Sequence, residues 1–177
     1  MSDAGLPLVL EALAFAADKH RDQRRKDAAA SPYINHPIAL ANVLVQEGDV
    51  ADPVVIAAAL LHDTLEDTQT TAAELRAAFG EPIARVVVEV TDDKDLPKAE
   101  RKRLQVEHAA TLSREAKLVK LADKICNLRD MADHPPAKWD LVRRREYFDW
   151  AKAVIDRLRG VHPRLEAAFD AAFARRP

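Results

Sequence analysis

The stretch from Asp52 to Thr68 constrains this chain more than any other: Asp52-Pro53 is followed by an unbroken apolar run, Val54 to Leu61, and then by His62-Asp63-Thr64-Leu65-Glu66-Asp67-Thr68. Asp52 supplies an N-cap and Pro53 a first-turn proline, so the pattern predicts a helix from Asp52 to Leu65. Its run is apolar on every side, which predicts a rigid, buried element. An ordinary core helix does not finish in four metal-capable or proton-transferring side chains. At 3.6 residues per turn His62 and Glu66 share one face and Asp63 and Asp67 the neighbouring one, so all four are expected to converge on one small volume. Like charges packed so closely repel unless a cation or a proton sits among them.

Two more segments carry matching side chains. Ser31-Pro32-Tyr33-Ile34-Asn35-His36-Pro37 places a histidine before a proline suited to the first position of the next helix, presenting the imidazole at a helix N-terminus. Leu118-Val119-Lys120-Leu121-Ala122-Asp123-Lys124-Ile125-Cys126-Asn127-Leu128 carries an aspartate within a periodic helix, with Asn127 one turn along the same face. Two imidazoles and two carboxylates suit manganese, iron, zinc or another divalent transition ion, with coordination positions left for water and substrate oxygens.

Punctuation elsewhere reads as helix after helix. Leu6 to His20 carries a stripe of Leu6, Leu10, Leu13 and Ala17; a second helix runs from Pro37 to Glu47 and is closed by Gly48. Thr71-Ala72-Ala73-Glu74 is a capping-box pattern for a short helix ending at Gly80, and Pro82 opens another through Val90. Val86-Val87-Val88 has no partner strand nearby and is taken as helix. A charged loop, Thr91 to Leu96, leads past Pro97 into Lys98 to Ala110. Ser113 caps Arg114 to Met131, Pro135-Pro136 breaks the chain, Ala137 to Arg159 ends at Gly160, and Pro163 starts a last helix to about Arg175. With 177 residues, 48% of them hydrophobic, and no repeat or linker, the expectation is one domain over 1–177 with its core at about 10–175. Its fold class is an all-α orthogonal multi-helix bundle.

Composition excludes several functions. A net charge of -2 argues against a general nucleic-acid binder. Local basic clusters exist at Arg21, Arg24, Arg25 and Lys26, at Lys98 to Arg103, and at Arg143 to Arg145, which on their own read equally as solvated faces. Lys94 and Lys124 read as surface or ion-pair residues. Cys126 is the one cysteine, so no intrachain disulfide forms, and it suits a core position. There is neither an apolar run of ~18 residues nor a signal-peptide pattern, so a cytoplasmic protein with no membrane partner is expected. Oligomeric state stays open, because apolar helix faces serve as core or interface alike.

The order His36, His62-Asp63, Asp123 resembles the metal-binding signature of the HD-domain phosphohydrolases. Its context, Arg24-Arg25-Lys26-Asp27, Tyr33 to Pro37, Ala59 to Thr64 with Glu66-Asp67, Val90-Thr91-Asp92-Asp93-Lys94 and Lys117 to Lys124 with Asn127, is similar to the stand-alone small alarmone hydrolases. These are the animal-type homologues of the hydrolase half of the bacterial stringent-response enzymes. The likeness runs from about Leu10 to Arg175, and the chain leaves no room for the synthetase domain of the large bifunctional members.

The resemblance implies that His36, His62, Asp63 and Asp123 hold one Mn2+, and that Glu66 and Asp67 activate water and move protons. Its implied substrate is a guanine nucleotide alarmone, guanosine tetraphosphate or pentaphosphate, giving GDP or GTP and pyrophosphate. Arg25 would pack on guanine, Lys26 would face phosphate, Asn127 would touch the ribose, Lys98 and Arg143 would meet distal phosphates, and Tyr147 would line the nucleotide pocket. Tyr33 and Asn35 would support His36. Alternatives are an NADPH 2′-phosphatase using the same metal, a catalytically silent nucleotide-binding module, and a purely structural helical protein. The pair Glu66-Asp67 opposes the last two, since carboxylates at a helix C-terminus work against the helix dipole and a sensor need not keep them.

Overall fold

The computed structural model describes residues 5–177, and among these the chain is helical, with no strand beyond an isolated antiparallel bridge between Arg24 and Pro32. Helices α1 (Gly5–Lys19), α2 (Asn35–Asn42), α3 (Pro53–Leu61), α4 (Thr64–Asp67), α5 (Ala72–Val90), α6 (Lys98–His108), α7 (Arg114–Asp133), α8 (Leu141–Asp156) and α9 (Pro163–Phe173) succeed one another along the chain. The all-α bundle expected from the punctuation is what forms.

Helix α3 is the axis of the bundle, packed by α1, α2, α5 and α7. Asp52 caps it by accepting from Val54 N at 2.9 Å, and every residue from Val55 to Leu61 is buried. Against it lies α1, through Ala12 and Ala16, both fully buried. The stripe expected on α1 is corrected here: Leu6 and Leu10 are 52% and 54% exposed, because the alanine face lets two backbones approach closely where leucines would hold them apart. Burying this apolar run is worth about 1.5 kcal/mol or more per large side chain, which makes α3 a firm anchor for the His62-Asp63 segment at its end.

Sequence punctuation located other boundaries with differences that have physical causes. Helix α2 ends in a π-helical turn, Val43–Glu47, closed by Gly48 N donating to Val43 O at 3.0 Å. A Cβ at Gly48 would lie 2.7 Å from Leu44 O and 3.0 Å from Leu165, so glycine is required here for close approach. Thr71 caps α5 as expected, accepting from Glu74 N, but the Glu74 carboxylate pairs with Lys19 at 2.8 Å and does not turn back on the cap. Within α5 the backbone kinks at Gly80, whose φ of 81° separates the two helical segments that Gly80 and Pro82 predict. Val86, Val87 and Val90 are buried on the second segment, as helix.

Helix α8 begins at Leu141 and not at Ala137, because Asp140 caps it by accepting from Arg143 N at 2.8 Å. The largest departure is at the end of α3. The predicted helix to Leu65 stops at Leu61, Asp63 adopts φ −98°, ψ 0°, and a separate single turn, α4, comes next. Side chains take the carbonyls that would continue the helix: His62 Nδ1 lies 2.8 Å from Ala59 O, and Thr64 Oγ1 donates to Leu61 O at 2.7 Å.

Candidate metal centre

The break after α3 is what assembles the site. It turns His62 and Asp63 toward His36, in the first turn of α2, and Asp123, in the middle of α7. His36, His62 and Asp123 each offer a ligand atom, all within 4.8 Å of one another. Asp63 joins them through Oδ2, 2.8 Å from His62 Nε2, while Asp123 Oδ1 lies 3.3 Å from His36 Nε2. The two imidazole rings meet edge to face at 5.3 Å.

Neighbours fix each of these groups. Ala59 O can only accept, so His62 Nδ1 carries a proton, and Nε2 is the nitrogen turned toward the cluster. That Nε2 is buried against Asp63 Oδ2, and a divalent ion bound here would displace the proton that the carboxylate holds on it. Tyr33 donates its hydroxyl to Asp63 Oδ2 and packs its ring edge-to-face on His36 at 6.0 Å, so it supports both. Burial raises the Tyr33 phenol far above its ordinary range, and the Asp63 charge adds to this, keeping the donor protonated. Asn127 Nδ2 donates to Asp123 Oδ1, and Lys124 Nζ donates to Asp123 Oδ2 at 3.0 Å.

Charge in the cluster is compensated internally. Burial pushes Asp123 up, but Lys124 and the imidazoles outweigh it and hold the carboxyl well below its usual range. Burial alone would lower His62; the charge of Asp63 overcomes it and raises the imidazole to about 9. Burial lowers His36 below its ordinary value, leaving it neutral and fit to ligate. Two imidazoles with two ionised carboxylates form a donor set that fits a divalent ion.

A cavity of 150 Å³ surrounds the cluster, and one of 430 Å³ adjoins it, both lined by Arg25, Tyr33, His36 and Asn127. The larger one takes Lys26, Trp139 and Tyr147 as further walls. Arg25 spans the join, paired with Asp130 of α7 and 5.8 Å from the Tyr33 ring. Tyr147 stands between Trp139 and Trp150, at ring distances of 5.8 and 5.3 Å, and burial pushes its phenol up to about 12. Lys98 and Arg143 lie over the Trp139 ring at 5.7 and 4.2 Å, exposed and outside the residues that line either cavity.

Of the two carboxylates expected to converge with the ligands, Glu66 lines the cavity of the cluster and Asp67 does not. Glu66 faces the inner cavity, its Oε2 3.4 Å from Asp92 N, and burial, with Asp63 and Asp92 nearby, raises its carboxyl. Asp67 lies on the outer cavity, accepting from Gln23 Nε2 at 2.9 Å and paired with Lys94. Lys124, by sequence a surface or ion-pair residue, is buried, touches Asp123 and lies 4.4 Å from the Trp150 ring. Lys120 is equally buried and donates to Val90 O at 2.8 Å. No local signal marks them as buried, since Lys117, Asp123 and Asn127 lie one turn away along the same helix.

The model of the HD domain matches residues 12–149, and the chain belongs to the HD-domain family. Within that family it is similar to guanosine-3′,5′-bis(diphosphate) 3′-pyrophosphohydrolase MESH1 of Danio rerio, 52% identical over 176 residues, which cover 99% of this chain and 98% of the relative. The Homo sapiens protein of that name is 55% identical over 168 residues, covering 95% of this chain and 94% of its own. A solved structure described as a metazoan ortholog of SpoT that hydrolyses ppGpp superposes with a TM-score of 0.93 at 48% identity, covering 96% of this chain and 95% of that one.

Proposed function

We propose that this protein is a metal-dependent guanosine-3′,5′-bis(diphosphate) 3′-pyrophosphohydrolase, releasing pyrophosphate and leaving GDP, or GTP from the pentaphosphate. The observation that carries this reading is the cluster of buried His36, His62 and Asp123 with half-buried Asp63, opening past Arg25 and Asn127 into a 430 Å³ cavity of nucleotide size, walled by Tyr147 and Lys26. Its near full-length similarity to proteins named for that activity supports it.

His36, His62, Asp63 and Asp123 would hold one divalent ion, for which we propose Mn2+. Such an ion supplies positive charge against the phosphoryl oxygens and acidifies water. Glu66, in the inner cavity, orients the attacking water and takes its proton. A water oxygen–phosphorus bond forms at the phosphorus joined to the ribose 3′ oxygen, and the bond from that phosphorus to the 3′ oxygen breaks. Asp67, on the side of the outer cavity, assists return of a proton to the 3′ oxygen. Arg25 packs on the base and Lys26 meets phosphate; Asn127, already holding Asp123, reaches the ribose from the boundary of the two cavities. Lys98 and Arg143 extend the positive charge beyond the Trp139 rim toward distal phosphates. The protein would act in the cytoplasm as a single domain.

Metal-stripped protein incubated with guanosine tetraphosphate, and separately with NADPH, with and without manganese, tests the reading through the nucleotide and phosphate products. Manganese-dependent GDP and pyrophosphate are expected. Orthophosphate from NADPH alone would keep the metal site and change the substrate, and no turnover of either would leave only nucleotide binding.

A further inference from the structure

Helix α6 is the one α-helix among the described residues that buries none of its own side chains. A helix normally turns an apolar stripe inward, but here the residues at i, i+3, i+4 and i+7 are Lys98, Arg101, Lys102 and Gln105. Trp150 of α8 anchors the helix by donating its indole N–H to Lys102 O at 3.1 Å. Two of the four side chains then converge on one carboxylate. Arg101 Nη1 lies 3.5 Å from Glu66 Oε1, and Gln105 Nε2 donates at 2.6 Å to Asp92, whose backbone N–H lies 3.4 Å from Glu66 Oε2.

Geometry separates Arg101 from the substrate. Glu66 lines the metal cavity and Arg101 does not; Arg101 lines a neighbouring 220 Å³ cavity that Asp92, Gln105 and Lys120 divide from it. Arg101 therefore reaches Glu66 from behind. Arg101 Nε and Gln105 Oε1 are buried without hydrogen-bond partners in the chain, a local cost in stability. Such local costs gather where side chains serve a site.

We propose that Arg101 is a positioning residue for the reaction: its guanidinium holds one oxygen of Glu66 while the Asp92 amide, anchored by Gln105, holds the other, aiming the carboxylate into the metal cavity. The inference rests on the assignment of Glu66 as the group that handles the attacking water.

The test uses the full chain loaded with manganese, in the variants Arg101→Gln, Arg101→Lys, Glu66→Gln and the double variant Arg101→Gln/Glu66→Gln. Turnover and KM for guanosine tetraphosphate are measured with bound manganese and the circular dichroism melt. Arg101→Gln lowers kcat about 10- to 100-fold, as loss of orientation does, with KM within about twofold and metal still stoichiometric. Arg101→Lys recovers part of the loss, and the double variant is no slower than Glu66→Gln alone. A raised KM at unchanged kcat, unchanged kinetics, or independent multiplication of the two losses overturns the proposal. Full activity in Glu66→Gln overturns the assignment of Glu66 and this inference with it; loss in Glu66→Gln with normal Arg101→Gln overturns this inference alone. If Arg101→Gln does not fold, Arg101→Lys combined with Glu66→Gln reads the same coupling.

Discussion

At the scale of single residues, the candidate metal centre depends on hydrogen bonds that orient its proposed ligands as much as on those side chains themselves. Tyr33 donates to Asp63 and Asn127 to Asp123, so each carboxylate enters the cluster with one oxygen already directed. Tyr33→Phe removes only the hydroxyl, and it should weaken manganese binding about 10- to 100-fold while the fold persists, measurable by competition with a chelator. Asp63→Ala should lose metal and activity together; stoichiometric manganese in that variant would remove Asp63 from the ligand set. Arg25→Ala should raise KM more than it lowers kcat, read from steady-state rates, because Arg25 lines the cavities without belonging to the cluster. The ligand types were legible because histidines and aspartates stand out in apolar surroundings. Lys124 was not, since a lysine beside an aspartate has the same sequence signature on a surface as in a buried pair.

Among elements, α3 illustrates both the reach and the limit of local pattern. Its cap, its proline and its burial were readable, whereas its end was not, because His62 and Thr64 close the helix with side-chain bonds that intrinsic propensity does not register. The break sends Glu66 inward and Asp67 to the outer cavity, and gives two neighbouring carboxylates different surroundings. Helix α2 depends on a different local device. Gly48→Ala would force a Cβ to 2.7 Å from Leu44 O, at the junction where the π-turn meets Leu165 of α9. A destabilisation of about 1–3 kcal/mol is expected, read as a lower denaturant midpoint with an unchanged slope.

For the whole molecule, function depends on holding α2, the end of α3, and α7 at fixed separations. One tie is visible beside the core: Arg129 of α7 donates through both terminal nitrogens to Glu47 of the π-turn, at 2.6 and 2.8 Å. The hydrogen bond from Arg129 lowers the Glu47 carboxyl below its ordinary 4.5, so the pair contributes stability above that value and loses it as pH falls through the depressed one. Glu47→Gln should therefore cost on the order of 0.5–1 kcal/mol at pH 7, as a half-exposed pair does, and the difference from the native chain should vanish in acid melts. By itself, the sequence determined the all-α class and most helix starts, because caps, prolines, glycines and apolar periodicity act within a few residues, and it singled out the histidines and aspartates proposed as metal ligands. Only the tertiary structure decided that the chain turns at His62-Asp63, that Lys124 and Tyr33 complete the centre, and that α6 faces it with polar side chains. Those features arise between elements far apart in the chain, where carbonyls and charges are satisfied by partners that local pattern does not specify.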